Sequence, residues 1–338
     1  MSTWLLLVAA AISSFGITAL LRRYALKRGV IDIPNARSSH AVPMPRGGGM
    51  AIVVTFICFM TLIWHRDHSQ LGLLIALAGA GGWVAIVGFL DDHRHIPATW
   101  RLVAHLLGGL WALYWLSDVP AIAGLPGWVG GVLACLYIVG FLNFYNFMDG
   151  IDGMAAIEAI TTCIGAASIY LFSIPDGSHW LVPALLLAAT LGFLFWNYPR
   201  ARIFMGDGGS GFLGLTFAVL SIEAGLLEPT IFWAWLILLG IFVVDASLTL
   251  CRRLLRGDRI YEAHRTHAYQ HACRRFHSHA KVSTTVALIN LAWLWPIAFA
   301  VGTGAVPGPI GLTVAYVPLI VLALAFDAGA MEVRDAQT

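Results

Sequence analysis

The stretch GWVGGVLACLYIVGFLNFYNFMDGIDGMAAIEAITTCIGAASIYLFS, at residues 127–173, determines the fold class of this chain. It contains two apolar runs, at 127–148 and 153–173, with the acidic segment DGIDG between them at 149–153. Each run is about 20 residues long, which is the length that an α-helix needs to cross the hydrocarbon core of a bilayer. The stretch therefore predicts two membrane-spanning helices that are joined by a polar turn.

The composition of the whole chain agrees with this prediction. Of the 338 residues, 59% are apolar and 11% are charged, whereas a soluble domain carries about 25% charged residues. A soluble enzyme is therefore excluded, and the low charge and five scattered cysteines exclude disordered and disulfide-rich proteins. We predict an all-α, polytopic membrane bundle that forms one domain over 1–338, with about eleven transmembrane helices. The apolar windows are 3–21, 49–65, 70–90, 98–117, 127–148, 153–173, 179–197, 209–227, 229–250, 281–303 and 310–327.

The basic residues predict the orientation of this bundle. Of the 20 Lys and Arg residues, all but Arg66 lie in or beside the loops that follow odd-numbered windows, or in the C-terminal tail. Cytoplasmic loops carry the excess of Lys and Arg in membrane proteins. We therefore expect a periplasmic N-terminus and a cytoplasmic C-terminus. The loops predicted to form a cytoplasmic active site are 22–48, 91–97, 198–208 and 251–280.

Four polar motifs fall on this predicted cytoplasmic side. They are the pair Asp91–Asp92, NFYNFMDGIDG at 143–153, RIFMGDGGSGFLG at 202–214, and the histidines at 264, 267 and 271. Each motif alone has a simpler interpretation: a carboxylate pair that ends a helix, a tight turn, a glycine-rich packing segment, or a surface stripe on a helical loop. Their placement on one face, in four different loops, favours a shared site.

The residue types in these motifs indicate the chemistry. Adjacent carboxylates repel each other and favour a bound cation, and Mg²⁺ prefers such oxygens while leaving positions for substrate phosphates. The glycine-rich segment around Asp207 leads into an apolar helix, whose first N–H groups can bind an anion. Its GDGGSG spacing at 206–211 is not a dinucleotide fingerprint, because no strand precedes it. The histidines could bind zinc or contact phosphate.

Ionisable residues inside the windows, namely Arg101, His105, Glu158 and Asp245, are expected to be functional or paired. The whole pattern predicts a metal-dependent reaction between a phosphorylated soluble substrate and a substrate dissolved in the bilayer. Transport is the alternative, although transporters place their polar groups near the bilayer midplane rather than at one interface.

Taken together, the motifs resemble those of the polyprenyl-phosphate N-acetylhexosamine-1-phosphate transferases. The resemblance covers about residues 30–271 and rests on FLDD at 89–92, NFYNFMDGIDG, NYPRARIFMGDGGSGFLG at 197–214 and the histidine segment. DIPNARSSHAVPMPRGGG at 32–49 and YEAHRTHAYQH at 261–271 resemble the branch that initiates O-antigen synthesis. The resemblance implies transfer of a sugar-1-phosphate from a UDP-sugar to undecaprenyl phosphate, with release of UMP, at the cytoplasmic face of the bacterial inner membrane.

The resemblance also implies roles for individual residues. Asp207 would bind Mg²⁺, with Mn²⁺ as the alternative metal, and Asp91, Asp92, His264 and His267 would be catalytic. Asp152 and the backbone of Gly150 and Ile151 would recognise uracil, and Phe204 would stack on it. The remaining substrate-binding residues would be Arg101, Asn146, Asp149 and Asn197. The segment HRTH at 264–267 has Thr266 where the family has a third histidine.

The expected partners follow from the same resemblance. They are a UDP-N-acetylhexosamine, of the N-acetylglucosamine or N-acetylfucosamine type, and undecaprenyl phosphate, with no nucleic acid and with a homodimer as one option. The preferred mechanism is direct attack of the lipid phosphate on the β-phosphorus, because a phosphate monoester is already largely ionised at pH 7. A covalent aspartyl intermediate is the competing mechanism. A phospho-N-acetylmuramoyl-pentapeptide transferase and a lipid-linked-sugar translocator remain alternative functions.

Overall fold

The computed structural model describes residues 2–34, 42–65, 70–94, 96–116, 126–175, 177–258 and 264–331, and these residues are nearly all helical. A short antiparallel pair of strands, β1 (Ile31–Asp32) and β2 (Met44–Pro45), follows the first helix. The helices are α1 (Thr3–Arg28), α2 (Met50–Trp64), α3 (Leu71–His93), α4 (Ala98–Leu116), α5 (Gly127–Met148), α6 (Met154–Ser173), α7 (Leu181–Asn197), α8 (Asp207–Leu227), α9 (Pro229–Leu238), α10 (Gly240–Leu255), α11 (Ala268–Phe276), α12 (His279–Gly302) and α13 (Gly308–Ala325).

The apolar windows of the sequence all fall on these helices, so the all-α prediction and the multi-pass membrane prediction are confirmed. Among the described residues, seven helices are long and apolar enough to cross a bilayer, or eight if the bent pair α9–α10 is one span. Helices α2 and α7 are apolar but shorter, at 15 and 17 residues. The count of about eleven spans and the orientation of the termini therefore stay predictions.

The ninth window, 229–250, differs from a straight span. Helices α9 and α10 meet at an angle of 70°. At the break, the Tyr316 hydroxyl donates a hydrogen bond to the Leu236 carbonyl (2.7 Å). In a continuous helix this carbonyl would accept from the amide of Gly240, four residues later. The bend turns α10, which carries Asp245, away from the direction of α9.

Helix α8 is the centre of the bundle. In its most apolar 18-residue window, 78% of the residues are buried, whereas 22% are buried in the corresponding window of α1. Glycines allow the neighbouring helices to approach it closely: a Cβ atom at Gly214 would lie 2.8 Å from Cα of Leu142 on α5. Because α8 begins at Asp207, the packing of its first turn positions one end of the polar cluster described below.

A second polar contact lies inside the bundle. Asn290 on α12 donates a hydrogen bond to the Glu158 carboxylate on α6 (2.7 Å), and both side chains are buried. Asn290 also donates to the Thr161 hydroxyl (2.8 Å). Glu158 was expected to be functional or paired, and in the structure it is paired. The contact joins α6 to α12.

Candidate active site

The carboxylates of Asp91, Asp92 and Asp207 meet where the end of α3 contacts the start of α8. Gly88 makes this contact possible, because a Cβ atom at that position would lie 2.5 Å from the carbonyl carbon of Asp207. The Asp207 amide donates a hydrogen bond to the Asp92 carboxylate (3.1 Å). Gly206 precedes it with φ 79° and ψ 166°, a conformation that favours glycine. Three of the predicted site residues, which come from two separate motifs, are thus brought together.

Arg101, at the start of α4, connects two of these carboxylates. Its Nη1 lies 2.7 Å from Oδ2 of Asp91 and 3.6 Å from Oδ2 of Asp207. The other oxygen of Asp91 accepts a hydrogen bond from the backbone amide of Ile96 (2.6 Å). The Asp91 side chain is 5% exposed, whereas that of Asp207 is 31% exposed. Asp207 is therefore the carboxylate of this pair that is open to an incoming ligand.

Arg46 closes the other side of the cluster, and it was not among the predicted site residues. Its Nε lies 2.8 Å from Oδ1 of Asp92, and its Nη2 contacts the same oxygen. The loop that carries Arg46 pairs with the segment before α8: Gly48 donates to the Phe204 carbonyl (2.9 Å), and the Phe204 amide donates to the Pro45 carbonyl (2.8 Å). The signal in the sequence was the single arginine in PRGGG at 45–49, beside three glycines.

Asn146, at the end of α5, completes the cluster. Its Nδ2 donates hydrogen bonds to Oδ1 of Asp207 (3.2 Å) and to the Ser210 hydroxyl (3.0 Å). Asp149 lies in the turn that follows. Burial, followed by repulsion from Asp207 and Asp92, raises the pKa of the Asp149 carboxyl to about 7. Asp149 therefore titrates near neutral pH when no cation is bound.

Asp152 and Asn197 hold the loops together. Asp152 Oδ2 accepts from the Ala201 amide (3.1 Å), and its Oδ1 lies 3.2 Å from Nδ1 of His279. Asn197 accepts from the Gly153 amide (2.9 Å) and donates to the Ile203 carbonyl (3.0 Å). Asp152 and Asn197 were both predicted to bind substrate, and in the structure both connect the DGIDG turn to the loop before α8.

The other residues predicted to bind uracil lie around the same turn. Ile151 is buried at 5% exposure, whereas Gly150 is exposed. A side chain at Gly150 would collide with the Tyr269 hydroxyl, which donates to the Phe147 carbonyl (3.1 Å). Phe204 is partly exposed beside the glycine loop. The structure thus gathers the predicted uracil-binding residues in the neighbouring loops, and their role stays a prediction.

The histidine segment differs from the expected helical stripe. His264 and His267 precede α11, and only His271 lies on it. The first two rings nevertheless stack, with centroids 4.9 Å apart. Their centroids lie 6.4 and 6.3 Å from that of Phe147 at the end of α5. Burial, followed by repulsion from His267 and Arg253, lowers the pKa of His264 to about 3, so His264 is neutral at pH 7.

The cluster fits a magnesium ion that is completed by substrate. Among the described residues, no group of three or more His, Cys, Asp or Glu side chains forms a ready metal cage. Mg²⁺ is commonly held by one or two carboxylates together with substrate phosphates and water. The half-open Asp207 carboxylate supplies such a ligand, and Oδ2 of Asp92 is buried without a hydrogen-bond partner in the described part of the chain.

The comparisons with known proteins identify the family. Residues 74–225 match the family model described as glycosyl transferase family 4. A Bacillus subtilis relative, named as a probable undecaprenyl-phosphate N-acetylglucosaminyl 1-phosphate transferase, is 30% identical over 264 residues, which cover 75% of this chain and 72% of the relative.

Two further relatives cover most of the chain. The undecaprenyl-phosphate alpha-N-acetylglucosaminyl 1-phosphate transferase of Thermotoga maritima is 27% identical over 84% of this chain and 86% of its own length. The phospho-N-acetylmuramoyl-pentapeptide-transferase of Streptococcus equi subsp. zooepidemicus is 27% identical over 71% of this chain and 77% of its own length. The family resemblance of the motifs is thereby confirmed, and the chain belongs to glycosyl transferase family 4.

Proposed function

We propose that this chain transfers an N-acetylhexosamine-1-phosphate from a UDP-sugar to undecaprenyl phosphate, releases UMP, and does so at the cytoplasmic face of a bacterial inner membrane. The observation that carries the proposal is the contact of Arg46 and Arg101 with the three carboxylates of Asp91, Asp92 and Asp207. The site therefore has two arginines and one half-open carboxylate at the end of apolar helices. This combination can bind two phosphorylated substrates, one of which is dissolved in the bilayer.

The metal would be held by Asp207, with Asp92 as the second carboxylate beside it. When bound, Mg²⁺ would neutralise the diphosphate and stabilise the negative charge on the leaving UMP. Arg101 already lies 3.6 Å from Asp207, so it is placed to contact a phosphate that approaches this carboxylate. Asn146 donates to the other oxygen of Asp207 and orients it.

The contacts of Asp91 support direct attack by the lipid phosphate. Both of its oxygens are engaged, one by the Ile96 amide and the other by Arg101, and the side chain is 5% exposed. A carboxylate held in this way is a poor nucleophile. A general base would also contribute little, since the lipid phosphate monoester is largely ionised at pH 7. Asp91 then acts by orienting Arg101 toward the phosphates.

The sugar is proposed to be N-acetylglucosamine or N-acetylfucosamine. The loop sequences at 32–49 and 261–271 support an enzyme that initiates O-antigen or another envelope polysaccharide, and several relatives are named for N-acetylglucosaminyl 1-phosphate transfer. The muramoyl-pentapeptide substrate is the second candidate, because a relative is named for it.

The test is UMP release by the purified protein with a panel of UDP-sugars, in the presence and absence of undecaprenyl phosphate and Mg²⁺. Release that requires both the lipid and the metal is the expected result, and the best donor identifies the sugar. Release from the UDP-muramoyl-pentapeptide alone would select the second candidate. Absence of release from every donor, by protein shown to be folded, would overturn the proposal and favour a translocator of lipid-linked sugars.

A further inference from the structure

Helix α11 begins on a buried carboxylate that belongs to a different helix. Asp245 on α10 is 4% exposed, and its two oxygens accept hydrogen bonds from the amides of Ala268 (2.9 Å) and Tyr269 (3.0 Å). These are the first two residues of α11, whose N–H groups have no partner within the helix. The Thr249 hydroxyl, one turn along α10, also donates to Asp245 (3.1 Å).

The same carboxylate also contacts an imidazole. Nδ1 of His267 lies 3.2 Å from Oδ1 of Asp245, and the His267 side chain is 2% exposed. A carboxylate can only accept a hydrogen bond, so Nδ1 carries a proton. Nε2 is then the nitrogen left to contact a ligand or exchange a proton. Within the described part of the chain, this Nε2 is buried and has no hydrogen-bond partner.

Helix α11 links this histidine to the candidate active site. Tyr269 donates to the Phe147 carbonyl (3.1 Å) and lies against Gly150, in the segment that carries Asn146 and Asp149. The His267 ring is also beside the Phe147 ring, with centroids 6.3 Å apart. Asp245 therefore determines both where α11 starts and how the imidazole faces the turn that follows α5.

We propose that Asp245 is a positioning residue for the transfer reaction, which acts through His267 by holding Nδ1 and presenting Nε2 toward the substrate phosphates. This inference rests on the proposed function. With Nδ1–H held by the carboxylate, Nε2 donates a hydrogen bond to a phosphate oxygen when it carries the second proton of the ring. Among the described residues, the His264 and Tyr269 rings stack beside that of His267, and the charged groups of Arg253 and Asp258 lie near His264.

The alternative is that Asp245 only caps α11, and the substitution Asp245→Asn, compared with His267→Gln and the double variant, separates the two roles. Asparagine keeps one oxygen that can accept from the Ala268 amide, but its NH2 group cannot accept from the Tyr269 amide, and the negative charge beside His267 is lost. Thr249→Val is the matched control, because it removes a different hydrogen bond to Asp245 and leaves the imidazole contact in place.

The measurements are kcat/KM for UMP release and the melting temperature, for wild type, Asp245→Asn, His267→Gln, the double variant and Thr249→Val. For Asp245→Asn we expect a loss in kcat/KM of about 10- to 100-fold. The double variant should be no slower than His267→Gln, since residues that act as one unit are not additive. Thr249→Val should keep the wild-type kcat/KM.

Additive losses in the double variant would overturn the positioning role and leave a helix cap. A readout that is independent of activity is ¹⁵N NMR of histidine-labelled wild-type protein. It should show the His267 proton on Nδ1, and a proton on Nε2 alone would overturn the inference even if Asp245→Asn does not fold. Because this spectrum needs no substrate, a failure of the proposed function, with no UMP release by wild type, is distinguishable from a failure of the inference.

Discussion

Arg46 pairs with Asp92 across 46 residues of sequence, and both its Nε and its Nη2 reach the same carboxylate oxygen. The Asp92 side chain is completely buried, whereas that of Arg46 is 27% exposed. The charge on Asp92 is therefore compensated by an arginine from the first loop, which is held against the segment before α8 by backbone hydrogen bonds. This contact joins the loop to the end of α3.

The substitution Arg46→Met should destabilise the protein. It leaves the buried Asp92 carboxylate without its cation, and breaking a buried ion pair on one side costs about 3–5 kcal/mol. Since Arg46 is partly exposed, we expect the lower end of this range or less, about 2 kcal/mol. The melting temperature in detergent measures the effect. Arg22→Met, which removes a partly exposed arginine bound to the Arg202 carbonyl, is the control. Arg46→Met combined with Asp92→Asn should recover part of the loss.

Asp207→Asn should abolish UMP release without preventing membrane insertion. The substitution keeps the size of the side chain and the start of α8, but it removes the negative charge of the half-open carboxylate. An amide is a much weaker ligand for Mg²⁺ than a carboxylate. Activity and the Mg²⁺ concentration for half-maximal activity are measured beside Asp258→Asn, which changes an aspartate bound to Arg256 outside the cluster. Substantial activity in Asp207→Asn would remove Asp207 as the essential metal ligand.

The meeting of Asp91, Asn146 and Asp207 could be predicted from the sequence, because each residue lies at the end of an apolar run on the same side. The pairing of Arg46 with Asp92 could not, since one arginine in a glycine-rich loop does not indicate which of several carboxylates it meets. An arginine in this loop is equally expected if it only adds to the positive charge of a cytoplasmic loop.

The roles of Asp152 and Asn197 show a second limit. Both were predicted to bind substrate, and in the structure both connect two loops by hydrogen bonds to backbone groups. A carboxylate or amide at the end of a helix suits either role, so the residue type alone does not separate them. Asp245 was expected to be functional or paired only because it is ionisable, and its contact with His267 depends on the 70° bend before α10.

Asp149 should make the stability of the metal-free protein depend on pH near neutrality. Burial, followed by repulsion from Asp207 and Asp92, raises its pKa to about 7 in the folded state, from 3.8 in the unfolded chain. A raised carboxyl pKa contributes stability that is fully present below pH 3.8 and is lost as the pH rises through 7. The melting temperature in EDTA should therefore fall between pH 6 and pH 8 in wild type, and by less in Asp149→Asn. Parallel curves for the two proteins would show that Asp149 titrates normally.

Gly88→Ala should reduce both stability and activity, because it acts on the contact that places Asp207 beside Asp91 and Asp92. A methyl group at Gly88 would lie 2.5 Å from the Asp207 carbonyl carbon, which is backbone and cannot rotate away, so α3 and α8 must separate. Gly140→Ala is the matched control, since Gly140 lies within α5 and a Cβ atom there meets no atom of the described residues within 4 Å. In a helix interior that change removes the glycine penalty of about 1 kcal/mol, so Gly140→Ala should melt at the wild-type temperature or above it. If Gly88→Ala instead matches Gly140→Ala in melting temperature and UMP release, the close approach of α3 to α8 is not what positions the metal-binding carboxylate.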